Sequence, residues 1–258
     1  MRVLALESRR TAEMAELIRR QGGDPFVAPS MREAPIEHNE AAFAFAGRLF
    51  AGGFDMMALL TGVGTRQLNR LLATRYGETA FADALRRLTI AARGPKPVAA
   101  LREMGLTPAI VAPEPNTWRE LLMATEGRPE RRIAVQEYGR SNPELIEGFR
   151  ERGAEVTAVR VYQYALPIDT GPLREAARRL AGGEFHFALF TTAVQIEHLM
   201  SVAEDAEAAL AELRRLKIAS IGPTTTEALE EFGLTPWMEP SHPKMGILVH
   251  EAAERAAG

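Results

Sequence analysis

The chain is 258 residues long, 46% hydrophobic and 25% charged. This excludes a disordered or collagen-like polymer and leaves room for one large or two small domains. Thirty-one basic against 34 acidic residues give a net charge of -3, which argues against a nucleic-acid binder, whose balance is usually basic. With no cysteine at all, a disulfide framework, a thiolate metal site and a cysteine nucleophile are excluded.

In chain order, Val3–Leu6 reads as a buried strand, and Thr11–Gln21 follows with apolar residues at helical spacing, stopped by Gly22-Gly23. Met56–Leu60, Thr89–Ala92, Ala109–Ala112, Arg132–Gln136, Val156–Val161, Phe187–Phe190, Lys217–Ile221 and Thr235–Met238 are the further predicted strands. Helical stretches separate most of them. Such alternation predicts parallel sheets with helices on both faces. No run approaches the ~20 apolar residues of a membrane span, and the first ten residues hold too short an apolar stretch for a signal peptide. A cytoplasmic protein without membrane contact is expected.

The chain also repeats itself. Leu85-Arg-Arg-Leu-Thr-Ile-Ala-Ala-Arg-Gly-Pro95 matches Leu213-Arg-Arg-Leu-Lys-Ile-Ala-Ser-Ile-Gly-Pro223, and Gly105-Leu-Thr-Pro108 matches Gly233-Leu-Thr-Pro236. Upstream, Phe54–Thr61 aligns with Phe185–Thr192, and Arg2–Glu7 with Arg132–Glu137; each of the last pair leads into a helix ending in Arg-x-x-Gly, at Gly22 and at Gly153. A period this long means two similar α/β domains rather than a solenoid. Tandem wiring would divide the chain near residue 130. An exchanged wiring would cross through the proline-bearing stretches Ala28–Asn39 and Val159–Pro172.

The most informative turn is Ile221-Gly-Pro-Thr-Thr-Thr226, between a strand and a helix. Gly222 permits a tight turn and Pro223 suits the first helical turn. Thr224, Thr225 and Thr226 then offer hydroxyls beside unsatisfied helix amides, where an anionic group can bind; an ordinary helix cap accounts for them too. No Walker or GxGxxG signature is present. The equivalent first-half turn, Arg93-Gly-Pro-Lys-Pro97, has Lys96 and Pro97 in place of threonines. Thr61-Gly62-Val-Gly-Thr65 and Thr191-Thr192 also end strands, the place where open α/β sheets bind ligands. Two such domains facing each other would line a cleft with these loops. Arg9, Arg10, Arg140, Ser141 and Asn142 fall in post-strand loops. Tyr162 and Tyr164 alternate along one connector strand and are expected on one face. The five histidines, His38, His186, His198, His242 and His250, fall in no metal-binding spacing. Arginine outnumbers lysine, which is confined to Lys96, Lys217 and Lys244. A GC-rich genome explains that bias, and so does carboxylate recognition. Read from residues alone, this is a two-domain α/β protein binding an anionic small molecule.

The ordered set resembles uroporphyrinogen-III synthase. Val3–Arg9, Val161-Tyr-Gln-Tyr164, Ala188-Leu-Phe-Thr-Thr192 and Ile221-Gly-Pro-Thr-Thr-Thr226 with Ala228-Leu229 carry the resemblance, and the duplication fits it. It implies two flavodoxin-like α/β domains with parallel sheets and a two-stranded connector. The wiring is exchanged: residues 1–34 with 168–258 form one domain and 38–162 the other. The implied activity is cyclisation of the linear tetrapyrrole hydroxymethylbilane to uroporphyrinogen III with inversion of ring D, by a monomer using no metal or organic cofactor. The bilane loses its hydroxyl as water, and the substituted carbon of ring D attacks the resulting azafulvene. The spiro intermediate then fragments and recloses. Uncatalysed closure gives the non-inverted isomer, so the task is mainly positioning, with one weak proton donor. By resemblance Tyr162 is that donor. Arg9, Thr61, Gly62, Lys96, Arg140, Ser141, Thr191, Thr192, Gly222, Pro223, Thr224, Thr225 and Thr226 would bind substrate carboxylates. The chain departs from the family at Lys96-Pro97 and at Thr191-Thr192-Ala193, where hydroxyls cannot be carried onto Pro97 or Ala193.

Overall fold

A computed structural model describes residues 1–36, 39–137, 139 and 141–257. Among these, the strands are β1 (Arg2–Ala5), β2 (Asp24–Val27), β3 (Arg32–Pro35), β4 (Met56–Leu59), β5 (Thr89–Ala92), β6 (Ile110–Val111), β7 (Arg132–Gln136), β8 (Glu155–Val159), β9 (Tyr162–Ala165), β10 (Phe187–Phe190) and β11 (Lys217–Ser220). The chain divides into two compact units, Met1–Arg32 with Ala165–Gly258, and Glu33–Tyr164. The first unit holds a sheet in the order β11-β10-β1-β2 and the second a sheet in the order β6-β5-β4-β7-β8. Every neighbouring pair in both sheets is parallel. β3 and β9 form an antiparallel two-stranded connector.

The central strands are buried on both faces, which is why they read as unbroken apolar runs. Met56, Met57, Ala58 and Leu59 are all fully buried, as are Leu4, Ala5, Ala188 and Phe190. Helix Thr11–Arg20 covers the first sheet with Met14 and Ile18, one helical turn apart. Its counterpart Pro143–Glu151 buries Leu145 and Phe149 at the same spacing. Both run into the predicted stop glycines, Gly22 (φ 75°) and Gly153 (φ 80°), in the left-handed conformation glycine adopts at least cost. Each large side chain withdrawn from water in this way contributes roughly 1.5–3 kcal/mol before entropy is counted.

Two local readings differ from the structure. Thr235–Met238 is not a strand: it touches the sheet only at the Ala219–Met238 bridge. Pro236 has no amide hydrogen to donate and so ends the ladder; its counterpart Pro108 precedes β6, which is only two residues long. As the two-stranded connector implied, both proline-bearing stretches contain strand, at β3 and β9. The edge strand Asp24-Pro-Phe-Val27 went unrecognised, its period broken by Pro25.

Candidate active site

In the first unit β1, β10 and β11 deliver their following loops to the carboxyl end of one parallel sheet. Glu7 leaves β1 and caps the loop behind it. Its Oε1 accepts from the amides of Arg9 (2.8 Å) and Arg10 (3.2 Å), and its Oε2 accepts from the Thr191 hydroxyl (2.8 Å). Gln195, 1% exposed, lies beneath that threonine. Its Oε1 accepts from the amides of Thr191 (2.7 Å) and Thr192 (3.3 Å). Its Nε2 donates to the Leu6 carbonyl (2.9 Å) and to Thr191 Oγ1 (3.0 Å). The one hydroxyl proton of Thr191 is therefore committed to a carboxylate, while the Thr192 hydroxyl makes no hydrogen bond among the described residues. A hydroxyl carries a single proton, so only Thr192 has one to give to an anion.

Beyond β11, helix Pro223–Glu230 starts directly after Gly222. The Gly222 backbone is extended (φ 161°), and an added Cβ would meet nothing closer than 3.8 Å. The chain does turn here, with Thr225 N donating to the Gly222 carbonyl, but the turn does not require a glycine. Thr225 and Thr226 return their amides to the Gly222 carbonyl (2.9 and 3.1 Å). The Thr226 hydroxyl donates to the Glu239 carboxylate. Thr224 and Thr225 keep uncommitted hydroxyls beside the helix start, with Thr225 itself buried.

In the second unit Thr61 follows β4 and caps helix Gly62–Tyr76, its Oγ1 accepting from Gly64 N at 3.0 Å. The same oxygen lies 3.2 Å from the Tyr162 hydroxyl. Tyr162 is 1% exposed, and its ring meets Tyr164 edge-on at 5.7 Å, so the two tyrosines do share a face. Burial, aided by the neighbouring Tyr164, pushes the Tyr162 phenol well above its ordinary value; the proton stays on oxygen throughout the neutral range. The two glycines here are set by close approach. A Cβ on Gly62 would lie 2.5 Å from the Lys96 carbonyl oxygen, and one on Gly64 would lie 2.0 Å from Gln136 Nε2. Lys96 itself is exposed in the first turn of helix Pro95–Glu103.

Two carboxylates escaped sequence reasoning as functional groups. Glu7 is one. Its repeat partner Glu137, buried at 3%, accepts from Ser141 Oγ (3.1 Å) and Asn142 N (2.9 Å) and pairs with Arg160 (3.2 Å). Ser141 is thereby committed in the same way as Thr191. The signal was present in the aligned Arg2–Glu7 and Arg132–Glu137, both ending in glutamate. Arg140 lies outside the described residues; Arg9 is exposed in the loop that Glu7 caps. Among the described residues no three His, Asp or Glu side chains are grouped to hold a metal ion, and no helix is long and apolar enough to cross a membrane. A recess of about 610 Å³ opens elsewhere, lined by Asp55, Arg87, Thr89 and Arg132 at the amino end of the second sheet.

Residues 12–250 match the family model described as uroporphyrinogen-III synthase HemD. A Bacillus subtilis protein named uncharacterized protein YjjA is 29% identical, over 96% of this chain and 93% of its own. A Methanothermobacter thermautotrophicus protein named "Putative uroporphyrinogen-III synthase" is 32% identical, over 88% of this chain and 87% of its own. Among solved structures, a mutant uroporphyrinogen III synthase from Thermus thermophilus is 28% identical with a TM-score of 0.75, covering 99% of each chain. The enzyme from Helicobacter pylori, at 16% identity and a TM-score of 0.54 over 99% of this chain and all of its own, shares the fold.

Proposed function

Because the chain belongs to the uroporphyrinogen-III synthase family, we propose that it converts hydroxymethylbilane to uroporphyrinogen III with inversion of ring D. The observation that carries this reading is which hydroxyl protons are left to give. Thr192, Thr224 and Thr225 keep theirs, at strand ends and beside helix amides, where the acetate and propionate groups of a tetrapyrrole would dock. Thr191, Thr226 and Ser141 shape the loops instead, each bound to a glutamate.

Tyr162 supplies the proton that leaves with the bilane hydroxyl, and Thr61 hands it on. Thr61 Oγ1 already accepts from Gly64 N. If it also accepts from Tyr162, its own proton is directed to the substrate. Burial keeps the phenol neutral, as a donor must be. Water departs, ring D attacks through its substituted carbon, and the spiro intermediate reopens and closes with loss of a proton, which passes back through Thr61 and restores the neutral Tyr162 phenol. No group on the protein changes oxidation state, and no organic cofactor is needed for these steps.

The test is a coupled assay supplying fresh hydroxymethylbilane, with type I and type III products separated by chromatography. Type III product in excess of type I is expected. Type I product alone, at the uncatalysed rate, would reject the reading; tight binding of uroporphyrinogen III with that outcome would mark a binding protein instead.

A further inference from the structure

The two units solve one structural problem from opposite sides. Extending the repeat by three residues past Thr61 and Thr192 pairs Gly64 with Gln195, and the aligned β1 and β7 pair Leu6 with Gln136. In the second unit the glutamine is on the strand and its partner position is glycine. Gln136, fully buried, fills the space over Gly64 and accepts from Thr61 N at 3.3 Å. In the first unit the glutamine is on the helix and its partner position is Leu6. Gln195 accepts from Thr191 N and Thr192 N and donates to the Leu6 carbonyl. Each unit thus has one buried amide side chain at this junction, bonded to the backbone where the central strand turns into its helix.

We infer that Gln195 is a positioning residue that holds the Thr191–Thr192 turn so that the Thr192 hydroxyl, and not the backbone amides of the turn, meets a substrate carboxylate. Both amides are spent on Gln195 Oε1, so they cannot bind an anion. The Thr191 proton is spent on Glu7 while Gln195 Nε2 donates to the same oxygen. Gln195 therefore leaves the Thr192 hydroxyl as the free side-chain donor of these two residues, and it does so without touching ligand. Buried amides of this kind are costly to leave half-bonded, which is why the network is complete or the turn moves. This inference rests on the reading of function for its ligand but not for its geometry.

The same logic gives a rescue. Leu6→Gln with Gln195→Gly rebuilds in the first unit the arrangement the second unit uses. Three forms are compared: the unaltered chain, Gln195→Leu, and the Leu6→Gln/Gln195→Gly double variant, with Gln195→Met, similar in length but without the acceptor, as a fourth if Gln195→Leu does not fold. Two readouts are taken: amide hydrogen exchange at Thr191 and Thr192, and the KM and kcat of hydroxymethylbilane cyclisation. Gln195→Leu is expected to speed exchange at both amides at least 10-fold and to raise KM about 10-fold while kcat changes less than threefold. The double variant is expected to bring KM back to within about threefold of the unaltered chain and to slow exchange again. A folded Gln195→Leu or Gln195→Met protein with unchanged KM overturns the inference. So does a double variant whose amides are protected again while KM stays high. A chain that makes no type III product before any substitution would reject the function instead, and the exchange data would still decide whether Gln195 holds the turn.

Discussion

Asp55 in one unit and His186 in the other occupy the same repeat position and do the same job with different chemistry. Asp55 Oδ2 accepts from the Arg132 amide at 2.9 Å, and His186 Nδ1 accepts from the Arg2 amide at 3.0 Å. The carboxyl ends of the sheets repeat the pattern. Glu7 and Glu137 are kept on both sides as loop caps, whereas the buried glutamine has changed elements, from β7 in one unit to helix Val194–Val202 in the other. Duplication has preserved what the backbone needs at each place, an acceptor or an amide, and left open which residue supplies it. The side chains at the helix starts have diverged further: three threonines follow Pro223, but Lys96 and Pro97 follow Pro95.

The sharpest way to break that equivalence is at the glycines of Thr61-Gly-Val-Gly-Thr65. Ala193 holds in the first unit the position Gly62 holds in the second, so a methyl group fits one fold and not the other. In the second unit the Lys96 carbonyl oxygen stands 2.5 Å from the would-be Cβ, and a carbonyl cannot swing aside without moving its helix. Gly62→Ala should cost about 2–3 kcal/mol, within the range of overpacked cores, seen as a fall in melting temperature of several degrees. Gly64→Ala should cost about 1–2 kcal/mol, because Gln136 is a side chain that can partly yield. A pair of variants as stable as the parent would show that the close approach relaxes freely.

Next in size is turnover. Tyr162→Phe removes the phenol but keeps the ring against Tyr164, and should lower kcat about 10-fold or more on the general scale of acid catalysis. Tyr164→Phe should lower it less than threefold. Because burial holds the Tyr162 proton well above neutral pH, the rate should show no ionisation of this group between about pH 6 and 9. Equal, parent-like rates for both variants would leave positioning as the whole of the mechanism.

Smaller again is the contrast inside one turn. Thr225→Val removes an uncommitted hydroxyl and should weaken uroporphyrinogen III binding by about 1–2 kcal/mol. Thr226→Val removes one bonded to Glu239, so binding should change by less than about 0.5 kcal/mol while that contact is lost. Isothermal titration of both variants separates them, and a reversed order would mean that Glu239 releases Thr226 when ligand arrives.

The distinction between Thr225 and Thr226 marks where sequence reading stops. The parallel sheets were legible because Met56–Leu59 and Phe187–Phe190 are continuous apolar runs between helical stretches, and the duplication was legible because its turns kept their glycine and proline. The Thr-Gly-Val-Gly run was legible only as a loop at a strand end, since the reason for each glycine lies in Lys96 and Gln136, distant along the chain. Which hydroxyls are spent was not legible at all. Thr191 meets a glutamate 184 residues away and Thr226 one 13 residues on, and no local periodicity records either contact.

The smallest expected effect tests the amino ends of the sheets, where the two units differ in charge. The Arg132 guanidinium, with the amides of Arg132 and Arg131, lowers the Asp55 carboxyl from 3.8 to about 2. A carboxyl depressed on folding stabilises the folded state above its unfolded value, so the contribution is complete above about pH 5 and is lost as pH falls through about 2. Unscreened, a shift of that size corresponds to about 2 kcal/mol. The Asp55 side chain is one-third exposed and that of Arg132 nearly half, and solvent screening reduces the figure to about 1 kcal/mol. Asp55→Asn keeps an acceptor for the backbone but drops the charge. Urea unfolding of parent and variant should therefore differ by about 1 kcal/mol near pH 6, and the two curves should converge as the pH approaches 2. A difference that stays constant across that window would assign Asp55 to the same hydrogen-bonding role that His186 plays in the other unit, and the charge would then contribute nothing to the fold.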